Sequence, residues 1–132
     1  MIGTRVIVVG IVKYKDRVLL LRRRDDSHFS PGKWEFVSGF MEPNETTEET
    51  VVREVKEETS LDCAIVRHGR IVEVKDEFGR WVIIPYLCEV KNDKVTIDPK
   101  EHEEFVWVYP KNVKEYNSVA DLPKDLEAVD LV

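Results

Sequence analysis

Short runs of aliphatic and β-branched residues alternate with polar segments along most of the chain. These runs predict strands at residues 5–12, 18–21, 34–37, 65–74, 81–90 and 105–109. The first run is almost continuously apolar, which is typical of a strand buried on both faces. The runs at 65–74 and 81–90 flank a polar turn at 76–79 and predict a hairpin. Loops are predicted at 25–33, which contains serine, proline and glycine, and from 38–39 onward.

Helical signals are concentrated in two segments. Thr46 and Glu49 form a capping-box pattern that predicts a helix from about Thr47 to Thr59. A shorter helix is predicted at 121–129. One strong and one weaker helix among several strands indicate the α/β class, with an α/β sandwich around a mixed sheet. The length of 132 residues fits one domain over residues 1–132.

Composition restricts the class of protein further. The chain has 20 basic and 26 acidic residues, a formal net charge of −6 and 42% hydrophobic residues, which suffices for a packed core. The acidic balance argues against a nucleic-acid polymer as partner. No apolar run approaches the ~18 residues of a membrane-spanning helix, and the first residues lack the apolar core of a signal peptide. Cys63 and Cys88 make no disulfide framework, so reduced thiols in a cytoplasmic protein are expected.

Negative charge is concentrated in residues 42–58, which hold seven acidic and two basic side chains. Glu54, Glu57 and Glu58 stand at i, i+3 and i+4 and share one face of the predicted helix. Three carboxylates so close together repel one another unless a cation lies between them, and hard divalent cations prefer carboxylate oxygens. A solvated helix face is the alternative interpretation of the same pattern.

The spacing of these residues favours the cation. One glycine and five charged residues recur at characteristic spacings: Gly39, Glu45, Arg53, Glu54, Glu57 and Glu58. Apolar Val55 and Leu61 lie between and after them. This arrangement over residues 39–61 resembles the Nudix box of the Nudix hydrolases, Gly-x5-Glu-x7-Arg-Glu-U-x-Glu-Glu-x-Gly-U, where U is apolar. Ser60 departs from the pattern because it replaces the glycine that usually ends the helix. We expect Ser60 to cost some stability without touching a ligand.

The resemblance implies a fold, a reaction and a set of roles. Nudix enzymes fold as α/β/α sandwiches and hydrolyse nucleoside diphosphates linked to another group, using Mg²⁺ or Mn²⁺. Glu57 and Glu58 match the main metal-binding glutamates, and Glu54 matches a residue that binds metal or deprotonates the attacking water. Arg53 and Glu45 match an orienting pair. The remaining implied metal ligands are the Ser38 carbonyl and an acidic residue outside the box, with Glu101 the first candidate and Glu103 and Glu104 its rivals.

The residues that select the substrate are indicated by a weaker resemblance outside the Nudix box. The segment around residues 20–36 is similar to MutT-type nucleoside triphosphate pyrophosphohydrolases, in which an arginine and an aromatic residue help to hold the base. Arg23 and Phe36 are the matching candidates, although the strand pattern favours the core over base stacking for the face that carries Phe36. Asp125 stands where such enzymes place a base-reading residue, or is an ordinary surface acid. His28, His68 and His102 lack metal-ligand spacing and are expected at the surface, with contact between His102, which is beside Glu101, and the site as an alternative.

The resulting hypothesis is a Mg²⁺-dependent enzyme, with Mn²⁺ as an alternative ion. It would cleave a (deoxy)nucleoside triphosphate to the monophosphate and pyrophosphate, with an oxidised nucleotide as an alternative substrate. Other substrates of the same chemistry remain open: ADP-ribose, a nucleotide sugar or a dinucleoside polyphosphate. A non-catalytic nucleotide-binding module is a third alternative, which the complete set of box glutamates argues against. The expected partner is a small nucleotide, and the expected assembly is a monomer or homodimer.

Overall fold

The computed structural model describes residues 3–131 as eight strands, two α-helices and a 3₁₀ helix. The strands are β1 (Gly3–Tyr14), β2 (Arg17–Arg23), β3 (Trp34–Glu35), β4 (Val37–Phe40), β5 (Cys63–His68), β6 (Val72–Asp76), β7 (Gly79–Val90) and β8 (His102–Val108). The helices are α1 (Thr47–Thr59), the 3₁₀ helix (Pro110–Glu115) and α2 (Leu122–Ala128). Neither α-helix in this range is long and apolar enough to cross a membrane.

The strands form one mixed sheet. Its central order is β3-β2-β1-β7-β5, and β4, β6 and β8 pair with β1, β7 and β2 respectively. The long strands β1 and β7 run parallel over eleven residue pairs, whereas every other pairing is antiparallel. A parallel pair needs a crossover connection, and the chain supplies it through β4, α1 and β5. The predicted mixed sheet is therefore confirmed.

Two apolar clusters cover the two faces of this sheet. One cluster combines valines of α1 with β1, β2, β5 and β7. The other combines the 3₁₀ helix and α2 with the opposite side chains of β1, β2 and β7. Neighbours in a strand alternate between the clusters, so Leu19 and Leu21 belong to the first and Val18 and Leu20 to the second. Helices on both faces make the α/β/α sandwich that the resemblance implies.

Helix α1 begins and ends as local chemistry requires. The Thr46 hydroxyl accepts from the Glu49 amide and the Glu49 carboxylate accepts from the Thr46 amide, which completes the predicted capping box. Val51 and Val55 are buried against the sheet. The helix ends at Ser60, which has φ 67° and ψ 10° in the left-handed region.

Replacing Ser60 with glycine should stabilise the protein. A side chain at a left-handed φ is disfavoured, so glycine should raise the free energy of unfolding by up to about 1 kcal/mol. The gain is reduced by loss of the bond that the Ser60 hydroxyl donates to the Thr96 carbonyl at 3.1 Å. Urea denaturation measures the change. Ser60→Ala is the control: it loses the same bond without gaining glycine's freedom, and it should not exceed wild type in stability.

Two predicted strands are interrupted in the structure. The run 34–37 breaks at Phe36, because β3 pairs with β2 whereas β4 pairs with β1 and continues through the predicted loop start to Phe40. The run 65–74 breaks at Gly69, where any Cβ would collide with the Ala128 carbonyl at the end of α2. Long-range packing of this kind leaves no local pattern of hydrophobic and polar residues.

Candidate active site

A cleft of about 750 Å³ opens where β4, the second half of α1, the 24–33 loop and the segment before β8 meet. Its wall carries charge of both signs. The acidic lining residues are Asp26, Glu35, Glu42, Glu54, Glu58 and Glu101, and the basic or titratable ones are Arg23, Arg24, His28 and Lys100. Ser38 and Gly39 also line it. An open cleft with carboxylates and cations facing one another suits a ligand that carries both phosphates and bound cations.

Arg53 organises the carboxylates beside the cleft. Its guanidinium donates to both oxygens of Glu45 at 2.8 and 3.1 Å, to Glu54 at 2.7 Å and to the Phe40 carbonyl at 3.2 Å. The Arg53 hydrogen bonds, aided by the Glu42 backbone amide, hold the pKa of Glu45 at about 2. Glu45 is thus ionised at all working pH values, and the planar fork of Arg53 fixes the orientation of Glu54.

Arg53→Lys should reduce kcat by about 10- to 100-fold with little change in KM, since outer-shell groups that orient ligands have effects of this size. A lysine keeps the charge but cannot donate to Glu45, Glu54 and Phe40 at once. Steady-state kinetics at saturating metal measures the loss. Arg17→Lys, at an exposed arginine outside the cleft, is the control. Wild-type kcat in Arg53→Lys would contradict an orienting role.

Gly39 makes room for the Glu54 carboxylate. A Cβ at Gly39 would lie 2.5 Å from both carboxylate oxygens of Glu54. Gly39 lies in β4 opposite Val8 of β1, so the backbone there cannot move away without breaking the strand pairing. The first glycine of the box is thereby explained by close approach of a side chain rather than by backbone conformation.

Glu58 is buried to 3% exposure at the base of the cleft. Burial, reinforced by a hydrogen bond with Glu54 and by the charges of Glu101 and Glu35, raises the pKa of Glu58 to about 11. Its Oε2 atom accepts no hydrogen bond from any residue in the range 3–131. A buried carboxylate oxygen without a partner is costly by itself, and a divalent cation would compensate for it.

Glu101 and His102 extend this arrangement from the other side. Donor atoms of Glu58, Glu101 and His102 lie within 4.8 Å of one another. The expectation of a surface position for His102 is wrong: it is 2% exposed, and its Nε2 lies 2.8 Å from a Glu35 oxygen. Partial burial, with Asp98, Glu54 and Glu35 nearby, raises the pKa of Glu101, whose side chain remains exposed at the cleft surface. The donors present therefore fit a divalent cation.

The rival acidic residues lie elsewhere. Glu103 and Glu104 both pair with Arg22, at 2.8 and 2.9 Å, and neither lines the cleft. Of the three candidates from this segment, only Glu101 does so. Glu101 lies in the turn before β8, whereas Glu103 and Glu104 lie within β8, where Glu104 is the registered partner of Arg22 in β2.

The predicted substrate-binding residues are not gathered in one place. Arg23 lines the cleft, but its guanidinium is held by the Phe29 carbonyl, the Ser27 hydroxyl and Glu35. Phe36 is 2% exposed within the cluster below α2, which removes it from any base-stacking position in the cleft. Asp125 is half-buried on α2 and lines a separate cavity of about 250 Å³.

Glu57 also lies outside the cleft lining. Its side chain is 58% exposed and accepts from Arg53 at 3.2 Å. It stands one helical turn after Arg53 and next to buried Glu58. The structure therefore brings Ser38, Glu54, Glu58 and Glu101 together and leaves Glu57 at the margin.

Glu35 and His102 contribute to the cleft, although the sequence did not single out Glu35 and favoured a surface position for His102. Glu35 is bonded to both Arg23 and His102 and so links the 24–33 loop to the base of the cleft. The sequence carried a signal for Glu35: neighbouring side chains in an extended segment point to opposite sides, and Phe36 next to it is buried in the core. No comparable signal marks His102, whose burial depends on where β8 begins.

Comparison with known proteins agrees with this geometry. The NUDIX domain family matches residues 1–127. The chain is 27% identical over 117 residues to the CTP pyrophosphohydrolase of Escherichia coli strain K12, covering 88% of this chain and 85% of that protein. It is 32% identical over 127 residues to a dihydroneopterin triphosphate diphosphatase of Haemophilus influenzae, covering 83% and 76%. The crystal structure of a MutT protein from Methanosarcina mazei Go1 superposes with a TM-score of 0.81 at 26% identity, covering 98% and 94%.

The α/β/α fold and the gathered carboxylates define a hydrolase that acts on a pyrophosphate bond. The chain belongs to the Nudix family. Members of this family generally need a divalent metal, and the cluster at Glu58, Glu101 and His102 is the candidate place for it among the described residues.

Proposed function

We propose that this enzyme is a Mg²⁺-dependent nucleoside triphosphate pyrophosphohydrolase that releases the monophosphate and pyrophosphate. Mn²⁺ would serve as an alternative ion. Relatives named as a CTP pyrophosphohydrolase and as a dihydroneopterin triphosphate diphosphatase support a triphosphate substrate. The observation that carries the proposal is the buried, partnerless oxygen of Glu58 beside Glu54 and Glu101 in a cleft with basic residues on its rim.

The proposed metal ligands are Glu54, Glu57, Glu58, Glu101 and the Ser38 carbonyl. When bound, divalent cations neutralise phosphate charge and make water a better nucleophile. Oxygen donors of this kind suit Mg²⁺ and Mn²⁺. Glu54 is the proposed catalytic carboxylate, with Arg53 and Glu45 fixing its orientation. Arg53 also separates the ionised Glu45 from the cleft and so limits charge repulsion against the substrate.

Basic residues on the cleft rim are proposed to face the phosphates. Lys100 and Arg24 both line the cleft, and Arg24 is held by the Pro99 carbonyl at 2.8 Å and by the two oxygens of Asp26 at 2.8 and 3.2 Å. Arg23 is proposed to act on the substrate by shaping the loop, since its donors are engaged by Phe29, Ser27 and Glu35. Phosphoryl transfer depends mainly on positioning and electrostatics, so such contacts determine rate as well as affinity.

The base is proposed to lie toward Asp125. The cavity beside Asp125 is also lined by Val72, Ile83 and Pro85. Ile83 is the registered neighbour of Ile7, which lines the cleft, so the sheet surface is continuous between the two sites. An ionised carboxylate accepts from the exocyclic amino group of cytosine but finds no such donor on uracil.

Asp125→Asn should alter both base preference and the pH dependence of stability. Burial, with Asp121 nearby, raises the pKa of Asp125 to about 6. Because the folded pKa exceeds the unfolded one, wild type should lose stability between about pH 4 and pH 7 by about 1–2 kcal/mol relative to the variant. The ratio of kcat/KM for CTP over UTP should fall about 10-fold. Denaturation at pH 5 and pH 8 and paired kinetics measure these effects. Glu89→Gln, at an exposed position of β7 outside this cavity, is the control, and an unchanged base ratio would contradict the assignment.

A substrate panel with Mg²⁺ tests the proposed function. It contains the eight common (deoxy)nucleoside triphosphates, 8-oxo-dGTP, ADP-ribose, a nucleotide sugar and diadenosine tetraphosphate. Preferred turnover of a triphosphate supports the proposal. Turnover of a linked diphosphate alone would retain the metal site and overturn the roles of Arg23 and Asp125. No turnover of any compound, despite metal binding, would favour a nucleotide-binding module.

We also propose a cytoplasmic location and a single domain over residues 1–132. The sequence has two cysteines, Cys63 and Cys88, too few for a disulfide framework, which supports a reducing compartment.

A further inference from the structure

Strand β6 lies at an edge of the sheet and has one side without a strand partner among the described residues. Within residues 3–131 it pairs with β7 alone, and all five of its residues are exposed. The two strands join through a two-residue turn between Asp76 and Gly79. In such a hairpin the residues flanking the turn exchange backbone hydrogen bonds, and so do alternate residues beyond them. Glu73 and Lys75 therefore direct their backbone N–H and C=O groups toward the open edge.

The same hairpin carries an unusual concentration of exposed apolar side chains. Ile71, Val72 and Val74 are 52%, 45% and 43% exposed, and Phe78 at the tip is 75% exposed. Natural edge strands are protected against pairing by charged side chains, a bulge, a proline or a covering loop. Residues 72–76 contain no proline and pair with β7 in unbroken register, and their charges are of both signs, at Glu73, Lys75 and Asp76. Protection by charge therefore depends on the charges of the approaching strand, and a strand of complementary charge can add to this edge.

We propose that two copies of this chain associate through β6, antiparallel and centred on Val74. In this register Val74 of one copy faces Val74 of the other, and Glu73 faces Lys75 twice by symmetry. Glu73 and Lys75 are the residues whose backbone groups point outward, so each facing pair also exchanges two backbone hydrogen bonds. The arrangement is a closed two-fold contact, which limits assembly to a dimer.

The charges of Glu73 and Lys75 favour both this register and a second copy of the chain as the partner. Shifting the centre to Glu73 or to Lys75 preserves the backbone pairing but sets Glu73 against Glu73, or Lys75 against Lys75. Like charges directly opposite one another destabilise a strand pair, whereas opposite charges stabilise it. The segment is therefore complementary to itself in one register, which favours a second copy over an unrelated strand.

The size of the contact sets its strength. A five-residue strand pair buries less than the ~800 Å² per partner of a standard interface, so the dimer is weak and responds to protein concentration and salt. Val72 lines the Asp125 cavity as well as belonging to β6, and dimerisation would thus enclose that cavity further. The proposal does not depend on the proposed substrate.

Cysteine crosslinking tests the register directly. In the proposed dimer the two Val74 residues form a non-hydrogen-bonded pair with Cα atoms about 4.5 Å apart, within the range for a disulfide. Val72→Cys is the matched control, because residue 72 is similarly exposed but would face residue 76, about 13 Å along the strand from its symmetry mate. Wild type measures any background from Cys63. Mild oxidation should give covalent dimers of Val74→Cys only. Equal crosslinking of both variants, or of neither, would overturn the proposal.

Charge reversal gives an independent test by sedimentation. Wild type should shift from monomer to dimer between low micromolar and several hundred micromolar concentration. Lys75→Glu sets like charges opposite one another and should stay monomeric, and adding Glu73→Lys restores complementary pairs and the dimer. Failure of the double variant to regain the dimer, or a wild type that stays monomeric throughout, would contradict the pairing. Far-ultraviolet circular dichroism checks that each variant is folded.

Discussion

Glu58→Gln should lower kcat by about 10³-fold or more, because a metal ligand contributes several kcal/mol to stabilising the charged transition state. Without metal, the same variant should be at least as stable as wild type. Glutamine preserves the shape of a side chain that is 3% exposed and removes the titration of a buried carboxyl. Loss of activity with retained stability would separate a functional carboxylate from a structural one.

The raised pKa of Glu58 also predicts how the stability of the metal-free protein changes with pH. Burial and neighbouring acids raise the pKa of Glu58 to about 11, above its ordinary value of 4.5. A carboxyl whose pKa is higher in the folded state binds its proton more tightly there, so metal-free stability should fall as pH rises above the unfolded pKa. Denaturation in EDTA at pH 5, 7 and 9 should show this decline in wild type and a weaker one in Glu58→Gln.

Added Mg²⁺ should reverse the decline, since a ligand that binds only the folded state stabilises it. Mg²⁺ should raise the melting temperature of wild type at pH 8 and leave that of Glu58→Gln nearly unchanged. Glu48→Gln, at an exposed position of the same helix, is the control and should behave as wild type. Equal metal stabilisation of both variants would remove Glu58 from the metal site.

Gly39→Ala should reduce kcat by about 10²-fold or more, because a misplacement near 1 Å in a catalytic group has effects of that order. The new Cβ would lie 2.5 Å from both carboxylate oxygens of Glu54, so the side chain of Glu54 must move. Its bond from Arg53 would then be lost or lengthened. The β1–β4 pairing holds Gly39 in place, and the protein should remain folded with somewhat reduced stability.

Gly3→Ala is the matched control for this substitution. An added Cβ at Gly3, at the start of β1, meets no atom within 4 Å. Kinetics and urea denaturation of both variants distinguish local displacement of Glu54 from general damage. Full activity in Gly39→Ala would show that the position of Glu54 is not critical for turnover.

The helix and its chemistry could be predicted because their signals are local. The capping residues Thr46 and Glu49, the buried valines and the glutamates at i, i+3 and i+4 all lie within one continuous segment. The spacing of Gly39 from Glu54 is likewise encoded in sequence, and the structure supplies its reason in the close approach of the two residues.

The parts that could not be predicted depend on contacts between distant segments. His102 is buried only because β8 docks on β2 and brings it to Glu35, 67 residues earlier. The interruption at Gly69 follows from the arrival of α2, and Phe36 is committed to the core by the division of β3 from β4. Glu101, Glu103 and Glu104 are neighbours of the same type, and they are separated by the start of β8, which leaves Glu101 in the preceding turn and places the other two beside Arg22 of β2.

Phosphorus NMR of CTP hydrolysis with and without Mg²⁺ tests the central claim most directly. We expect CMP and pyrophosphate as the products and no reaction in EDTA. Glu57→Gln should lose most of the rate, because its carboxylate belongs to the proposed metal ligands. Release of CDP and orthophosphate would contradict the proposed site of cleavage. Undiminished hydrolysis in EDTA would contradict a metal-dependent mechanism built on these carboxylates.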